Sequence, residues 1–286
     1  MNEFGYAPAM RIEFTKMHGL GNDFLVIEIP QGAVVPDSAS WRRLADRHRG
    51  IGFDQALLLE PARTPGTAAY YRIFNADGTE VEQCGNGARC VARYLQLRGR
   101  ASADGRVAMG SPSGVIEAQA QGDGQIAVNL GVPDFNPAAL PFRAAAVEAS
   151  YTLQLGAEHV EFGAVSMGNP HAVLRVTDME SAPVERLGRA LQADAHFPRS
   201  VNVGFMQVVD AGHIRLRVYE RGVGETLACG TGTCAAVAVG RNLGLLGRDV
   251  TVHVPAGQLG VHWEGPGHSI WLTGPAAVAY TGQVEL

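Results

Sequence analysis

The strongest indication of the fold comes from residues Cys229–Gly240, which have the sequence CGTGTCAAVAVG. From Cys234 to Gly240 every side chain is small or apolar. A helix over these residues has no polar face and must be buried. Cys229 opens the stretch in the pattern Cys-Gly-x-Gly, a glycine-rich turn directly before the helix. The stretch therefore predicts a buried helix that is preceded by a cysteine.

The same pattern occurs once more in the first half of the chain. There Cys84 precedes the glycines, and Val91–Leu95 is the apolar part of the helix that follows. Without a gap, the two windows pair Arg72 with Arg217, Glu80 with Glu225, Cys84 with Cys229, Gly85 with Gly230 and Gly87 with Gly232. Upstream, Gly21-Asn22 matches Gly168-Asn169. Two similar halves predict a pseudo-twofold molecule with its active site in the cleft between them.

The rest of the chain is of mixed α/β (α+β) class, with more strand than helix. Short runs rich in valine, isoleucine, tyrosine and phenylalanine, separated by glycine, proline or aspartate, predict strands. Helical spacing of apolar residues predicts helices at 40–48, 88–97, 179–191 and 234–243. Residues 1–9 precede the first alternating strand, and we interpret them as an extension.

Composition excludes several classes of protein. Apolar residues make up 46% of the chain and charged residues 18%, which is typical of a globular protein. The net charge of −5 disfavours nucleic acid or an anionic membrane as partner. The sequence has neither an apolar run of roughly 18 residues nor a signal peptide at its start. We therefore expect a cytoplasmic protein.

Each Cys-Gly-x-Gly turn offers an anion site and a reactive sulfur together. The first N–H groups of a helix lack intrahelical partners and carry partial positive charge. Glycines let a carboxylate approach these groups closely. The same charge is expected to lower the pKa of a thiol at this position. Thiols of Cys84 and Cys229 on opposite faces of one α-carbon suit its inversion, because one thiolate removes the proton and the other thiol supplies one.

Other cysteine-based or glycine-based sites fit less well. The spacings C-x5-C and C-x4-C differ from those of zinc sites, and no histidine pair accompanies them, so we expect no metal. A thioredoxin-like motif requires C-x-x-C, and a phosphate loop requires Gly-Lys-Ser/Thr. Gly19–Phe24 lacks the third glycine of a dinucleotide fingerprint. Cys90 and Cys234 fall inside the predicted helices, and we interpret them as core residues.

Six blocks that span nearly the whole chain resemble the diaminopimelate epimerases. They are Lys16–Phe24, Asn75–Cys90, Met167–His171, Asn202–Phe205, Tyr219–Gly232 and Leu272–Ala276. Thr79 stands where serine is usual in the family, and residues 1–9 are additional. The resemblance implies interconversion of LL- and meso-diaminopimelate for lysine and peptidoglycan synthesis, without a cofactor. Absence of pyridoxal phosphate agrees with the single lysine, Lys16.

The resemblance also assigns roles to individual residues. It implies Cys84 and Cys229 as the acid–base pair, with His171 and Glu220 near them to set ammonium binding and thiol protonation. The backbone N–H groups implied to hold the reacting carboxylate belong to Gly85, Asn86, Gly230 and Thr231. The polar side chains implied around the substrate and at its distal end are Asn22, Gln55, Asn75, Asn169, Asn202 and Arg221. A guanidinium such as that of Arg221 pairs with a carboxylate through two hydrogen bonds.

The family's fold consists of two similar domains, each a barrel-like sheet around a central helix, and the last strand returns to the first domain. The resemblance therefore implies one domain over residues 10–131 plus 275–286 and the other over 132–274. It also implies a homodimer, with Tyr280 at the dimer contact.

Two other functions stay open at this point. A proline or hydroxyproline racemase shares the fold and the cysteine pair, but its substrate has one amino-acid centre and no use for Arg221. A redox sensor would instead join Cys84 and Cys229 in a reversible disulfide and turn over no small molecule. A module that only binds a ligand has no reason to place two acidified thiols across one carboxylate site.

Overall fold

A computed structural model describes residues 11–81 and 85–285 of the chain. The extension 1–9 and Cys84 lie outside the described residues. The chain divides into two compact units. Unit 1 runs to Ala127 and takes up the chain again from Pro275, and unit 2 spans Val128–Gly274.

Unit 1 is a mainly antiparallel sheet with two helices. Its elements are β1 (Arg11–Gly19), β2 (Asn22–Glu28), α1 (Ser38–Ala45), β3 (Gln55–Glu60), β4 (Ala69–Asn75), β5 (Glu80–Val81), α2 (Gly85–Leu97), β6 (Arg106–Ser111), β7 (Gly114–Ala120) and the late strand β18 (Ala277–Glu285). The chain passes from unit 1 to unit 2 within β8 (Gln125–Asn129). The strands are ordered β18–β1–β2–β3–β4–β6–β7, and β5 shares one edge of β4 with β6. Among the described strands of unit 1, only the pairs β2–β3 and β4–β6 are parallel, as expected for strands joined by crossovers through α1 and α2.

Unit 2 repeats the strand order and strand directions of unit 1 and adds β17 beside β16. Its elements are β9 (Tyr151–Leu155), β10 (Glu158–Ser166), β11 (Pro170–Arg175), α3 (Val184–Ala193), β12 (Asn202–Asp210), β13 (His213–Glu220), β14 (Gly224–Thr226), α4 (Gly230–Asn242), β15 (Asp249–Val254), β16 (Gly257–Trp263) and β17 (Ile270–Pro275). The order is β9–β10–β11–β12–β13–β15–β16–β17, with β14 beside β13. Again the two parallel pairs, β11–β12 and β13–β15, enclose helices. The mixed α/β class and the internal repeat are confirmed.

The all-apolar helix predicted from the sequence is α4. Every residue from Gly232 to Gly240 is buried. The helix contacts β10 and β11 near one end of the strand order and β16 near the other, so the sheet of unit 2 curves around it. Gly163 of β10 lies so close to Val239 of α4 that a Cβ at this glycine would overlap the valine side chain. Its counterpart α2 contacts β1, β2, β6 and β7 of unit 1 in the same manner.

The predicted bounds need correction in all four helices. Helix α1 spans Ser38–Ala45 instead of 40–48, and helix α2 begins at Gly85 instead of residue 88. Helix α4 begins at Gly230 instead of residue 234, because the glycine-rich turn itself forms the first helical turn. Helix α3 begins at Val184 instead of residue 179. Pro183 disfavours the helical conformation of the residue before it, which prevents an earlier start.

Lys16 lies in an ion cluster that joins the first strands of unit 1 to the segment after α1. Its ammonium contacts the Asp23 carboxylate at 2.6 Å and the carbonyl oxygen of Gly52. Arg47 donates two hydrogen bonds of 2.9 Å to the same carboxylate and one of 2.8 Å to Asp54. Burial alone would raise the pKa of Asp23, but the hydrogen bonds from Arg47 and Lys16 hold it well below its usual range.

Two further findings bear on the expected partners. No helix within residues 11–81 and 85–285 is long and apolar enough to cross a membrane. On β18, Val278 and Tyr280 are 40% and 48% exposed, and the Tyr280 ring meets Phe14 edge to face at 5.9 Å.

Candidate active site

Cys229 is fixed at the start of helix α4. It caps the helix with an extended backbone, φ −124° and ψ 115°. The N–H and the hydroxyl of Thr233 both donate to its carbonyl oxygen, at 2.9 and 2.7 Å. A Cβ at Gly232 would lie 3.0 Å from the Val218 side chain and 3.3 Å from the Cβ of Cys229, so a larger residue here would press on both neighbours.

The Cys229 thiol belongs to a short chain of hydrogen bonds. Its sulfur donates to Oε2 of Glu220 at 2.9 Å and lies 3.6 Å from Oγ1 of Thr231. The other carboxylate oxygen, Oε1, accepts a hydrogen bond of 2.6 Å from the hydroxyl of Thr226. Cys229 is only 6% exposed. The structure therefore joins a buried thiol to a carboxylate whose orientation is fixed by a hydroxyl.

The protonation state of Cys229 differs from the sequence-based expectation. Burial, followed by the negative charge of Glu220 and the hydrogen bond to it, raises the pKa of the thiol well above its usual range. The N–H of Gly232 and the hydroxyl of Thr231 act in the opposite direction, as the helix start predicts, but more weakly. The prediction of an acidified thiol is thus wrong for Cys229, which is a protonated acid at neutral pH.

His171 of β11 is connected to the hydrogen bonds of Cys229 through two intervening residues. It is fully buried, and its Nε2 is 2.9 Å from Oδ1 of Asn169. The amide Nδ2 of Asn169 in turn donates to Oγ1 of Thr231 at 3.4 Å. Burial, with a smaller effect of the Arg221 charge, lowers the pKa of His171 to about 3, so the imidazole is neutral. The neutral imidazole is linked to the sulfur of Cys229 through the side chains of Asn169 and Thr231.

Asn202 and Arg221, predicted for the distal end of the substrate, are neighbours. Oδ1 of Asn202 accepts the backbone N–H of Arg221 at 2.9 Å, and its Nδ2 donates to the Pro170 carbonyl at 3.1 Å. Asn202 is 4% exposed, and its two hydrogen bonds link the backbone of Arg221 to that of Pro170. The guanidinium of Arg221 donates to the carbonyl of Arg199 at 2.9 Å, and its side chain stays exposed. It retains donors for a carboxylate.

In unit 1 the predicted residues form two groups. Gly85 and Asn86 make the first turn of α2. Asn86 is 4% exposed, and its amide Nδ2 donates to Oδ1 of Asn22 at 3.4 Å. The guanidinium of Arg89 donates to Oδ1 of Asn86 at 2.8 Å. Asn22 donates to Asp54 at 3.0 Å, which ties it to the ion cluster of Lys16.

The second group lies on the neighbouring strands β3 and β4. Gln55 stands opposite Asn75 in the register and donates to its Oδ1 at 3.0 Å. Nδ2 of Asn75 donates to Oγ1 of Thr79 at 3.1 Å, so the departure from the usual serine keeps a hydroxyl at this position. Within unit 1 the structure thus brings together Asn22 with Asn86 and Gln55 with Asn75.

Two residues of these networks were missed in the sequence. Thr226 and Asp54 each orient a predicted site residue, Glu220 and Asn22 respectively. For Thr226 a signal was present, because it lies next to the repeated Glu225 and adjacent strand residues point to opposite faces. In the described ranges, no group of three or more histidine, cysteine or acidic residues is arranged to hold a metal ion.

The fold resembles those of several solved structures. A hydroxyproline epimerase from Agrobacterium vitis, with bound trans-4-OH-L-proline, is 19% identical with a TM-score of 0.66, covering 96% of this chain and 93% of that one. A PhzF-family phenazine biosynthesis protein from Bacillus anthracis is 14% identical with a TM-score of 0.66, covering 97% and 100%. Methylitaconate-delta-isomerase is 14% identical with a TM-score of 0.68, covering 98% and 96%. At these identities the likeness concerns the fold alone.

The sequence match is more specific. The family model described as diaminopimelate epimerase matches residues 14–136 and 163–279. These ranges contain both Cys-Gly-x-Gly turns and all the polar residues described above, and they cover most of the chain. The protein therefore belongs to the diaminopimelate epimerase family, a family of isomerases.

Proposed function

We propose that the protein interconverts LL- and meso-2,6-diaminopimelate by a two-base mechanism that needs no cofactor. The observation that carries the proposal is the buried Cys229 thiol at the start of α4, held by Glu220 at 2.9 Å. A protonated thiol at a helix start is suited to donate a proton to a carbon next to a bound carboxylate. The family match supports the substrate.

The proposed reaction assigns opposite roles to the two cysteines. The Cys84 thiolate removes the α-proton of the LL-centre, and the electron pair moves into the carboxylate. Cys229 then donates its proton to the opposite face of the carbon, which leaves a Cys84 thiol and a Cys229 thiolate. In the reverse direction the roles exchange. Such proton transfers by positioned groups contribute about 10²–10⁴-fold each to rate.

Backbone groups would stabilise the charge that develops on the carboxylate. The N–H groups of Gly85, Asn86, Gly230 and Thr231 lie in the first turns of α2 and α4, where their partial positive charge is unpaired within the helix. Donors of this kind, fixed before the reaction, lower the barrier without reorganisation. Arg221 and the asparagines would bind the distal amino-acid group, which does not react.

The contacts of Lys16 support a reaction without pyridoxal phosphate. That cofactor requires a Schiff-base lysine, and the only lysine of the sequence is 7% exposed and contacts Asp23 and Gly52.

We further propose a cytoplasmic homodimer that uses the exposed apolar residues of β18 around Tyr280. Light scattering of the purified chain should give twice the monomer mass, and a monomer mass would reject the dimer.

Proton NMR in D₂O with reductant tests the reaction. We expect deuterium at the α-position of LL-diaminopimelate together with the meso epimer, and none in L-proline or trans-4-hydroxy-L-proline. Cys84→Ala and Cys229→Ala should each lose at least about 10²-fold in rate. Cys234→Ala, in the same helix as the Cys229 cap, is the matched control and should remain active.

The other outcomes separate the remaining functions. Exchange with proline or hydroxyproline alone would keep the two-base mechanism and reject the substrate. Absence of exchange with all three compounds in fully reduced protein would reject the epimerase and favour the redox function. Arg221→Ala should cripple turnover of diaminopimelate, because that residue is assigned to its second carboxylate.

A further inference from the structure

Both units contain an arginine–glutamate pair at matched positions of the internal repeat. In unit 1, Arg72 donates from Nε and NH2 to the two oxygens of Glu80, at 2.8 and 2.6 Å. In unit 2, Arg217 makes the same pair of bonds to Glu225, at 2.6 and 2.9 Å. Two parallel bonds of this kind fix both groups in direction as well as distance. Each pair ties a short strand, β5 or β14, to the longer strand beside it.

The strand β14 presents different residues to its two faces. Glu225 stands opposite Tyr219 in the register, and Thr226 stands opposite Val218. Side chains of adjacent strand residues point to opposite faces, so Thr226 shares a face with Glu220. Gly224 lies opposite Glu220 and has a φ of +104°, a conformation that a residue with a side chain rarely adopts. The residue of β14 that faces Glu220 thus has no side chain that could hold the carboxylate in place.

The two oxygens of this carboxylate have different partners. Oε1 accepts the hydroxyl of Thr226 at 2.6 Å, and Oε2 accepts the thiol of Cys229 at 2.9 Å. While Thr226 occupies the first oxygen, the second is directed at the sulfur. Glu220 is the charged group in contact with that sulfur. Besides burial, the orientation of this carboxylate therefore affects how strongly the thiol keeps its proton.

We propose that Thr226 is a positioning residue that holds the Glu220 carboxylate on the Cys229 thiol. The Arg217–Glu225 pair on the opposite face of β14 keeps Thr226 in place. This inference rests on the proposed function, in which Cys229 is the proton donor. The matched positions of unit 1 are Asn75 for Glu220 and Val81 for Thr226, so the arrangement belongs to one half of the repeat only.

The test measures the alkylation of Cys229 by iodoacetamide against pH, quantified on the Cys229 peptide by mass spectrometry. Thr226→Val keeps the shape and the strand preference of threonine but removes the hydroxyl. Thr226→Ser keeps the hydroxyl, and Val81→Thr is the matched control in unit 1. A melting curve of each variant shows that it is folded, and Thr226→Ala serves if the valine variant is not.

In Thr226→Val the carboxylate is free to turn away from the sulfur, and the midpoint of the alkylation curve should move to lower pH. A shift of about half a unit raises the thiolate fraction about threefold at any pH below the midpoint. Thr226→Ser and Val81→Thr should keep the wild-type midpoint. The pH at which kcat declines on the alkaline side should move with the midpoint in Thr226→Val alone.

Alkylation does not require a substrate, so the two proposals fail separately. An unchanged midpoint in Thr226→Val overturns the positioning role even if diaminopimelate is turned over. The positioning role is equally overturned if Thr226→Ser shifts the midpoint as far as Thr226→Val. A shifted midpoint in a protein that exchanges none of the tested amino acids would retain the positioning role and reject the proposed function.

Discussion

Asn75 and Glu220 occupy the same place in the two units, at the end of β4 and of β13. The strand pairings around them are identical in order and direction, and each strand carries the same arginine–glutamate pair. Asn75 is neutral and bonds to Gln55 and Thr79, whereas Glu220 is acidic and bonds to Thr226 and Cys229. The repeat thus keeps the scaffold of the two units and changes the charge at this position, which in unit 2 contacts the Cys229 thiol.

This difference suits a reaction that needs one thiol and one thiolate at the same time. A carboxylate in contact with a thiol disfavours its ionisation, and a neutral amide does not. The Glu220 carboxylate therefore favours the protonated form of the Cys229 thiol, which is the form that the proposed reaction requires of its proton donor.

Glu220→Gln removes the difference and should have the largest effect. Without the negative charge the pKa of Cys229 falls, although burial still raises it. Because the proton donor is active only below its pKa, the alkaline decline of kcat/KM should begin at lower pH. Loss of a charged hydrogen bond costs about 1.5–3 kcal/mol, so we expect a rate loss of about tenfold or more. Steady-state kinetics against pH measures both effects.

Glu185→Gln is the control for this variant, since it removes an exposed carboxylate of the same unit that pairs with Arg189. It should leave the pH profile unchanged. If Glu220→Gln shifts the alkaline decline to higher pH, or not at all, the carboxylate does not hold the proton on Cys229.

A second difference between the units lies two strands away, where His171 of β11 corresponds to Phe24 of β2. Both side chains are fully buried. The pKa of His171 is about 3 in the folded chain, against a usual value near 6.5, so the unfolded chain binds a proton that the folded chain does not. Stability is therefore complete above about pH 6.5 and falls below it, by up to about 1.4 kcal/mol per pH unit.

Urea unfolding at pH 7 and pH 5 should reveal this loss in the wild type. In His171→Gln, which keeps a donor for Asn169 but cannot titrate, the difference between the two pH values should shrink. His159→Asn, at an exposed position of the same unit, should retain the wild-type difference. Equal pH dependence in all three proteins would show that His171 is protonated in the fold.

The smallest effects are expected when the repeated pair is cut in each unit. Glu80 and Glu225 have side chains 37% and 34% exposed, so Glu80→Gln and Glu225→Gln should each cost less than about 1 kcal/mol of unfolding free energy. Only Glu225→Gln should move the alkylation midpoint of Cys229, because only β14 carries a threonine that reaches a carboxylate. Chemical denaturation and peptide alkylation together measure the contrast, which equal midpoints in the two variants would contradict.

Much of the fold could be predicted from the local composition of the sequence. The run from Cys234 to Gly240 leaves a helix no polar face, and the structure buries all of it. The matched Cys-Gly-x-Gly turns indicated the repeat, because glycines at a helix start are demanded by the backbone and recur with the topology. The parallel direction of β2–β3 and β11–β12 follows from the helices between these strands, but their register was not predicted, since it depends on how each crossover helix packs.

The chemistry of the site was less accessible. Cys229, Glu220 and Thr231 are close in sequence, and the resemblance named them. The direction of the Cys229 pKa shift was not predicted correctly, because burial outweighs the helix start and burial is a property of the whole unit. Thr226 was missed although it lies next to the repeated Glu225, since its role depends on the torsion of a glutamate six residues earlier along the chain.

The position of Lys16 has a consequence for how this protein can be labelled and modified. Acetylation, biotin esters and lysine cross-linkers all require an exposed amine, and the only lysine side chain of the sequence is engaged by Asp23 and Gly52 in the folded unit. Reagents of this kind therefore spare the Lys16 side chain until β1 and β2 separate. Lys16 is thus a built-in reporter of local opening, since a label that appears there records the loss of unit 1 structure.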